Sequence, residues 1–277
     1  MDRESILIEA EELKNKLTDP KLRIYDATIM FAMALSPEEA AKMPTAHALY
    51  QAGHIPGAAF FDHDTFSDME SDYEYMLASD EILEAAIGEI GIGNQHEVVV
   101  YASNGILATA TRAWWLLRYA GVQNIRVLNG GLAAWKAAGG EVEKGESFYP
   151  AASFKANFNP AMFASKEEVQ AAIEDASVRV ENTLPQDWYD REHIPSSLCL
   201  PLTAISPDWS VLVPDDQLRE MMKGTGAPRR IITYCGGGIA ATVNAMAYLL
   251  LGHKNVAVYD GSLYEWKGEG LPLDNHQ

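Results

Sequence analysis

The chain has 277 residues, of which 48% are hydrophobic and 22% are charged, and its net charge at pH 7 is −18. This length allows two domains with separate cores, and the composition is typical of a globular protein. The acidic charge argues against nucleic acid and membrane surfaces as partners, and no apolar run approaches the ~20 residues of a membrane span.

The first half of the chain alternates strand and helix patterns. Short apolar runs predict strands at 23–26, 98–101 and 125–128, and a helix is predicted from Ala108 to Tyr119. Such alternation is typical of a parallel sheet covered by helices. The stretch 147–160 contains two prolines and no clear period, which predicts a linker between domains at 1–146 and 161–277.

The second half repeats this order, with strands predicted at 178–181, 231–234 and 257–259 and a helix at 240–251. Cys235 stands between the second of these strands and the helix, and Gly236, Gly237 and Gly238 follow it. Three glycines allow a tight turn that directs several N–H groups into one concavity, and the helix start adds partial positive charge. A thiol in this cradle is expected to be held as the thiolate, so Cys235 is the predicted nucleophile.

Other interpretations of this loop are weaker. A plain turn after a buried strand would make Cys235 a small core residue. A Walker phosphate loop ends in Gly-Lys-Ser/Thr, whereas Gly238 is followed by Ile239 and Ala240. A cysteine phosphatase needs an arginine to hold phosphate, and no arginine follows Cys235. The seven histidines are scattered without metal-ligand spacing, so neither a metal nor another cofactor is expected.

Three further residues are given structural roles. Arg112 precedes a double tryptophan on the predicted helix and is expected to be buried against a carboxylate. Asp260 ends a strand and is expected to form a turn. Cys199 is predicted to be a buried strand residue, with a resolving thiol as the alternative. Two cysteines form no disulfide framework, which favours a reducing compartment, the cytoplasm.

The two halves are repeats of one unit. Residues 98–106 align with 231–239, residues 128–136 with 259–267, and residues 54–58 with 193–197. In this alignment Ala102 is the counterpart of Cys235, and alanine cannot be a nucleophile. The repeat therefore predicts a catalytic second domain beside an inactive first domain.

With these motifs the chain resembles the two-domain rhodanese sulfurtransferases. The resemblance rests on Gly-His-Ile-Pro-Gly-Ala at 53–58, Arg-Ala-Trp-Trp at 112–115 and the Cys235 loop. It implies an α/β fold of two rhodanese-like domains, each a parallel sheet flanked by helices, with the active site between them. It also implies that Cys235 takes sulfur from a small donor as a persulfide and passes it to an acceptor such as cyanide or a thiol. The N–H groups from Gly236 to Ala241, including those of Gly237, Gly238, Ile239 and Ala240, are expected to bind the sulfur.

The loop departs from the family pattern in its side chains. Gly237 replaces the serine and Ala240 the threonine of the mercaptopyruvate type, so no loop side chain donates a hydrogen bond. The absence of loop cations favours 3-mercaptopyruvate over thiosulfate as the donor. His54 and Arg191 are the candidate substrate-binding residues. The uncharged loop also leaves an alternative: a relay or binding module that a partner protein charges with persulfide, with little small-molecule turnover.

Overall fold

The computed structural model describes residues 2–32, 36–222 and 228–275. The strands in these ranges form two five-stranded parallel sheets. The first sheet has the order β1-β5-β4-β2-β3, with strands Leu7–Ile8 (β1), Leu22–Asp26 (β2), Ala59–Phe60 (β3), Glu97–Tyr101 (β4) and Ile125–Leu128 (β5). The second has the order β6-β10-β9-β7-β8, with strands Phe163–Ala164 (β6), Val178–Asn182 (β7), Leu198–Cys199 (β8), Arg230–Tyr234 (β9) and Val256–Tyr259 (β10). The two orders are the same permutation, so the repeat in the sequence is a repeat of topology.

Helices connect the strands in both halves. The first half contains Arg3–Ile6 (α1), Ala10–Lys14 (α2), Pro37–Ala40 (α3), Ala46–Ala52 (α4), Asp80–Glu89 (α5), Leu107–Tyr119 (α6) and Gly131–Ala137 (α7), with a 3₁₀ helix at His63–Phe66. The second half contains Lys166–Ala172 (α8), Gln186–Arg191 (α9), Leu202–Ile205 (α10), Asp215–Met221 (α11), Ala241–Leu250 (α12) and Ser262–Gly268 (α13), with a 3₁₀ helix at Pro160–Met162. Several helices begin after a side-chain cap: Thr45, Ser79 and Ser165 each accept a hydrogen bond from an N–H group of the first turn.

These elements confirm the predicted fold class. Each predicted strand and both predicted helices are present within one residue of the expected ends. The alignment of the halves also holds in the hydrogen bonding, because Leu132 N–H donates to the Ala102 carbonyl at 3.2 Å and Leu263 N–H donates to the Cys235 carbonyl at 3.1 Å. Ala102 and Cys235 therefore occupy equivalent places at the carboxyl ends of β4 and β9.

One core is shared between the two sheets. Apolar residues on one face of each sheet join a single cluster, while the opposite faces have separate clusters of their own. The helices α6 and α12 lie in the shared core, and all of their residues are buried except Arg118 and Leu249. Helices that are apolar on every side are typical of such interior positions. They meet across the interface, where the Thr111 and Thr242 hydroxyls are 2.7 Å apart.

The connection between the sheets runs along the first one. Residues 138–159 contain no helix or strand, and the predicted linker 147–160 falls almost wholly within them. Ile24 N–H donates to the Tyr149 hydroxyl at 3.0 Å and Ala152 N–H donates to the Gly88 carbonyl at 2.9 Å. Within the described ranges, no helix has the length and apolar character needed to cross a bilayer.

Candidate active site

Cys235 lies directly after β9, in the loop that leads into α12, and is 3% exposed. The Ser262 side chain holds this loop closed. Its hydroxyl oxygen accepts hydrogen bonds from the N–H groups of Cys235 and Gly238, at 3.1 and 3.0 Å, and donates its own proton to the Tyr259 carbonyl at 2.8 Å. The carboxyl end of a parallel strand is the usual place for ligands in such sheets. Ser262 thus joins the ends of β9 and β10 around the thiol.

Several N–H groups of the loop remain open. Among the residues that the structure describes, no acceptor is bonded to the N–H groups of Gly236, Gly237, Ile239, Ala240 or Ala241. The helix α12 begins at Ala241, so its partial positive charge lies at the same place. Unbonded N–H groups at a helix start form a cradle for negative charge.

Gly238 differs from the sequence expectation. Its N–H donates to Ser262, so it serves the turn and is not available to bind sulfur. Gly238 also has φ +72°, and a Cβ there would clash with the Asp260 carbonyl oxygen. Glycine is therefore required at this position by the backbone rather than by the chemistry.

Three of the five equivalent N–H groups in the first domain already have acceptors, and one of them, that of Ile106, donates to the Asn104 side chain at 3.1 Å. Ser103 N–H donates to the Thr28 hydroxyl at 2.8 Å, and Leu107 N–H donates to the Trp209 carbonyl at 2.7 Å. These two groups correspond to the open N–H groups of Gly236 and Ala240. The first domain thus lacks the thiol, and its loop has fewer open N–H groups than the loop around Cys235.

Tyr264, on α13, covers the start of the loop. A Cβ built on Gly236 would lie 3.1 Å from the Tyr264 hydroxyl oxygen, and one built on Gly237 would lie 3.0 Å from Tyr264 Cδ2. Tyr264 N–H donates to the Gly236 carbonyl at 2.9 Å, and the residue is 50% exposed. Burial, and then negative charge on Cys235, raise the pKa of Tyr264. Sequence reasoning missed this residue, although its counterpart Ala133 in the repeat marks it as a difference between the domains.

A buried ion pair links the two domains beneath the loop. Arg112 on α6 donates to Asp260 Oδ1 at 2.6 Å and to the Tyr75 carbonyl at 2.6 Å, and its side chain is 2% exposed. The expectation that Arg112 is buried against a carboxylate is confirmed. Asp260 does more than form a turn, because its second oxygen accepts the Leu77 N–H at 2.7 Å. The first domain thereby contributes its segment 75–77 to the surroundings of Cys235.

His54 lies in the interior of the first domain. It is fully buried, its Nδ1 bonds to the Tyr50 carbonyl at 3.0 Å, and its ring stacks on that of Tyr50. His193 repeats this arrangement in the second domain, with Nδ1 2.8 Å from the Tyr189 carbonyl and its ring stacked on Tyr189. The shared geometry assigns both histidines a structural role at the end of a helix, and none of the contacts described for His54 joins it to the Cys235 loop.

Arg191 and Cys199 also have local partners. The Arg191 side chain is 70% exposed and forms an ion pair with Asp187 at 2.7 Å within α9. No described contact brings it to the loop. Cys199 is half-buried rather than fully buried, and its thiol points to the Leu184 carbonyl at 3.7 Å. Burial, with the negative charge of Asp190, raises the pKa of Cys199 to about 11, which is unfavourable for a resolving thiolate near neutral pH.

The chain is similar to known proteins over nearly its whole length. The rhodanese-like domain family matches twice, at residues 9–138 and 165–269. The 3-mercaptopyruvate sulfurtransferase of Escherichia coli (strain K12) is 32% identical over 279 residues, which cover 96% of each chain. The thiosulfate sulfurtransferase of Bos taurus is 30% identical over 272 residues, covering 93% of this chain and 89% of that protein.

Solved structures agree with the sequence relatives. The crystal structure of SseA from Escherichia coli, a 3-mercaptopyruvate sulfurtransferase, superimposes with a TM-score of 0.81 at 31% identity, covering 93% of this chain and 98% of that one. Tum1 of Saccharomyces cerevisiae shares the fold, with a TM-score of 0.83 at 20% identity and 98% coverage of both chains. With both domains matched and full-length relatives above 30% identity, the protein belongs to the rhodanese family, as a tandem-domain sulfurtransferase.

Proposed function

We propose that Cys235 is the nucleophile and sulfur carrier of this enzyme. One observation carries the proposal: the two equivalent loops differ in the thiol and in the state of their N–H groups. The Cys235 loop leaves five N–H groups without an acceptor among the described residues, whereas three of the five equivalent groups after Ala102, those of Ser103, Ile106 and Leu107, have acceptors. Preorganised N–H groups stabilise negative charge without further rearrangement.

The reaction has two steps. In the first, the Cys235 thiolate attacks the sulfur of the donor, a new S–S bond forms, and the bond between that sulfur and the rest of the donor breaks. In the second, an acceptor such as cyanide or a thiol attacks the outer sulfur, and Cys235 leaves as the thiolate again. The N–H groups of Gly236, Gly237 and Ile239 to Ala241 hold the negative sulfur in both states.

We propose 3-mercaptopyruvate as the donor, in preference to thiosulfate. The Escherichia coli relative with 32% identity is named a 3-mercaptopyruvate sulfurtransferase. The Cys235 loop also contains no cationic side chain that would bind thiosulfate. Arg112 is committed to Asp260 and the Tyr75 carbonyl, so it offers little to a dianion. Relatives named for small-molecule donors favour an enzyme over a relay module. Two free cysteines accord with a reducing compartment such as the cytoplasm.

Steady-state kinetics test this proposal. Thiocyanate formation from cyanide is measured with 3-mercaptopyruvate and, separately, with thiosulfate. We expect a higher kcat/KM with 3-mercaptopyruvate, loss of activity to background in Cys235→Ser, and retained activity in the matched variant Cys199→Ser. A higher kcat/KM with thiosulfate would overturn the choice of donor. Turnover by Cys235→Ser comparable to that of Cys199→Ser would overturn the assignment of the nucleophile.

A further inference from the structure

The Tyr264 ring occupies the space that loop side chains would otherwise fill. Its hydroxyl oxygen lies 3.1 Å from the place of a Cβ on Gly236, and its ring lies 3.0 Å from the place of a Cβ on Gly237. Neither glycine has a positive φ, so the backbone alone does not require glycine there. The glycines at 236 and 237 are explained by the ring that lies on them.

The first domain shows the opposite combination. Its loop carries side chains at the two positions, Ser103 and Asn104, and the residue equivalent to Tyr264 is Ala133. Those side chains turn inwards, where Ser103 donates to Asp26 and Asn104 donates to the Ile29 carbonyl at 2.9 Å. In the second domain, one phenol on α13 has replaced both polar side chains of the loop.

We infer that the Tyr264 hydroxyl donates a hydrogen bond to the leaving-group oxygen of the sulfur donor bound at Cys235. The inference rests on the proposed function. The hydroxyl lies beside Gly236, the residue that follows Cys235, and half of the Tyr264 surface is exposed to solvent. Tyr264 is thereby a catalytic residue that selects donors whose leaving group ends in an oxygen able to accept a hydrogen bond.

The reaction with 3-mercaptopyruvate shows at which step the Tyr264 hydroxyl acts. The Cys235 thiolate forms a bond to the donor sulfur, and the C–S bond breaks with its electron pair passing to the carbon and its carbonyl. The immediate products are the Cys235 persulfide, which still carries the donor's S–H proton and then releases it to water, and the enolate of pyruvate. Tyr264 holds the enolate oxygen by a hydrogen bond and keeps its own proton, and the enolate then takes a proton from water to give pyruvate.

The electrostatics at the loop suit a neutral phenol. Burial raises the pKa of Tyr264, and negative charge on Cys235 raises it further. The hydroxyl therefore remains protonated while the neighbouring sulfur is a thiolate, which is the state needed for donation. Because charge on the leaving group grows only as the C–S bond breaks, the hydrogen bond strengthens in the transition state.

Single-turnover and steady-state kinetics of Tyr264→Phe with 3-mercaptopyruvate test the inference. We expect the rate of persulfide formation and kcat to fall by about 100-fold or more, with a much smaller change in KM, as for loss of one donor to a developing oxyanion. The final yield of persulfide should equal that of the wild type. The matched control is Tyr73→Phe, which removes a phenol that lies against Gly268 at the end of the same helix and should leave the kinetics unchanged.

A second pair of variants separates donation from packing. Tyr264→Ala removes the hydroxyl and frees the space above Gly237, and Tyr264→Ala/Gly237→Ser places a new hydroxyl there. We expect the serine to restore part of the lost kcat in the double variant. A Tyr264→Phe rate within about twofold of the wild type would overturn the inference while leaving the proposed function intact. A wild-type protein that forms no persulfide on Cys235 would overturn both.

Discussion

Ser262 determines the shape of the Cys235 loop by accepting two of its N–H groups. The residue has φ +49°, a conformation that is unfavourable for any side chain, and its counterpart in the first domain is Gly131 with φ +55°. Backbone strain of this kind is concentrated at functional sites. The second domain therefore has a strained serine where the first has an unstrained glycine. The two hydrogen bonds that the serine accepts from the Cys235 loop offset this strain.

The burial of His63 leads to a prediction about the pH dependence of stability. It is buried beside Arg112, and burial is the main cause that lowers its pKa to about 3, against an ordinary value of 6.5. The unfolded chain takes up a proton on this histidine below pH 6.5, whereas the folded chain does so only near pH 3. Its contribution to stability is thus complete above pH 6.5 and is lost as the pH falls towards 3.

Comparison with His63→Gln isolates this effect. Glutamine can still donate to the Ala27 carbonyl, which accepts from His63 Nε2 at 3.0 Å, but it does not titrate. Between pH 7 and pH 5 the wild type should lose about 2 kcal/mol more unfolding free energy than the variant, measured by urea denaturation. Equal losses would show that His63 is protonated in the folded state. Acidic residues titrate in both proteins and cancel in the difference.

Sequence reasoning reached the residues of the loop but not those that surround it. The three glycines after a strand predict a tight turn at Cys235 from local geometry alone. Ser262 and Tyr264 come from another element, and only the meeting of β9 with the start of α13 brings them to the thiol. His54 is a candidate from the family motif and Arg191 from its position before the second His-Ile-Pro, and the contacts described for both are local.

At the scale of elements, α6 and α12 could be predicted because long, mainly apolar runs follow the strands β4 and β9. The contact between α6 and α12 could not be predicted, because the sequence of a buried helix does not indicate which element packs against it. The same holds for Arg112: the sequence indicates a buried cation that needs a carboxylate, but its partner is on the far side of a domain interface.

The Arg112–Asp260 pair should stabilise the joined domains. Asp260→Asn removes one charge and leaves the buried guanidinium without a counterion, which we expect to lower the free energy of unfolding by about 3–5 kcal/mol. Asp187→Asn makes the same chemical change at the exposed pair with Arg191, where the cost should be at most about 1 kcal/mol. Urea denaturation of both variants gives the comparison. A loss no greater in Asp260→Asn than in Asp187→Asn would contradict this role of the pair.

At the scale of the whole molecule, each domain covers the loop of the other. The first domain supplies Leu77, whose N–H bonds to Asp260 beside the Cys235 loop. The second supplies Trp209 and Ser210, whose carbonyls accept the N–H groups of Leu107 and Gly130 at 2.7 and 3.0 Å. The two halves have the same outline but differ in effect, because more N–H groups stay open in the second loop than in the first among the described residues.

This difference between the two loops predicts that a thiol alone is not sufficient for a sulfur-transfer site. In Ala102→Cys/Cys235→Ser the new thiol stands at the equivalent end of β4, but the N–H groups of Ser103 and Leu107 remain bonded elsewhere. We expect no stable persulfide on residue 102. The missing cysteine predicts an inactive first domain, and the bonded N–H groups of Ser103, Ile106 and Leu107 support that prediction.

The most direct test of the account is the intact mass of the reduced protein after incubation with 3-mercaptopyruvate or thiosulfate, recorded before and after addition of cyanide. The wild type should gain one sulfur atom that cyanide removes, and neither Cys235→Ser nor Ala102→Cys/Cys235→Ser should gain it. A cyanide-sensitive gain in Cys235→Ser would contradict Cys235 as the carrier. The same gain in Ala102→Cys/Cys235→Ser alone would contradict the claim that open N–H groups around the thiol make the site.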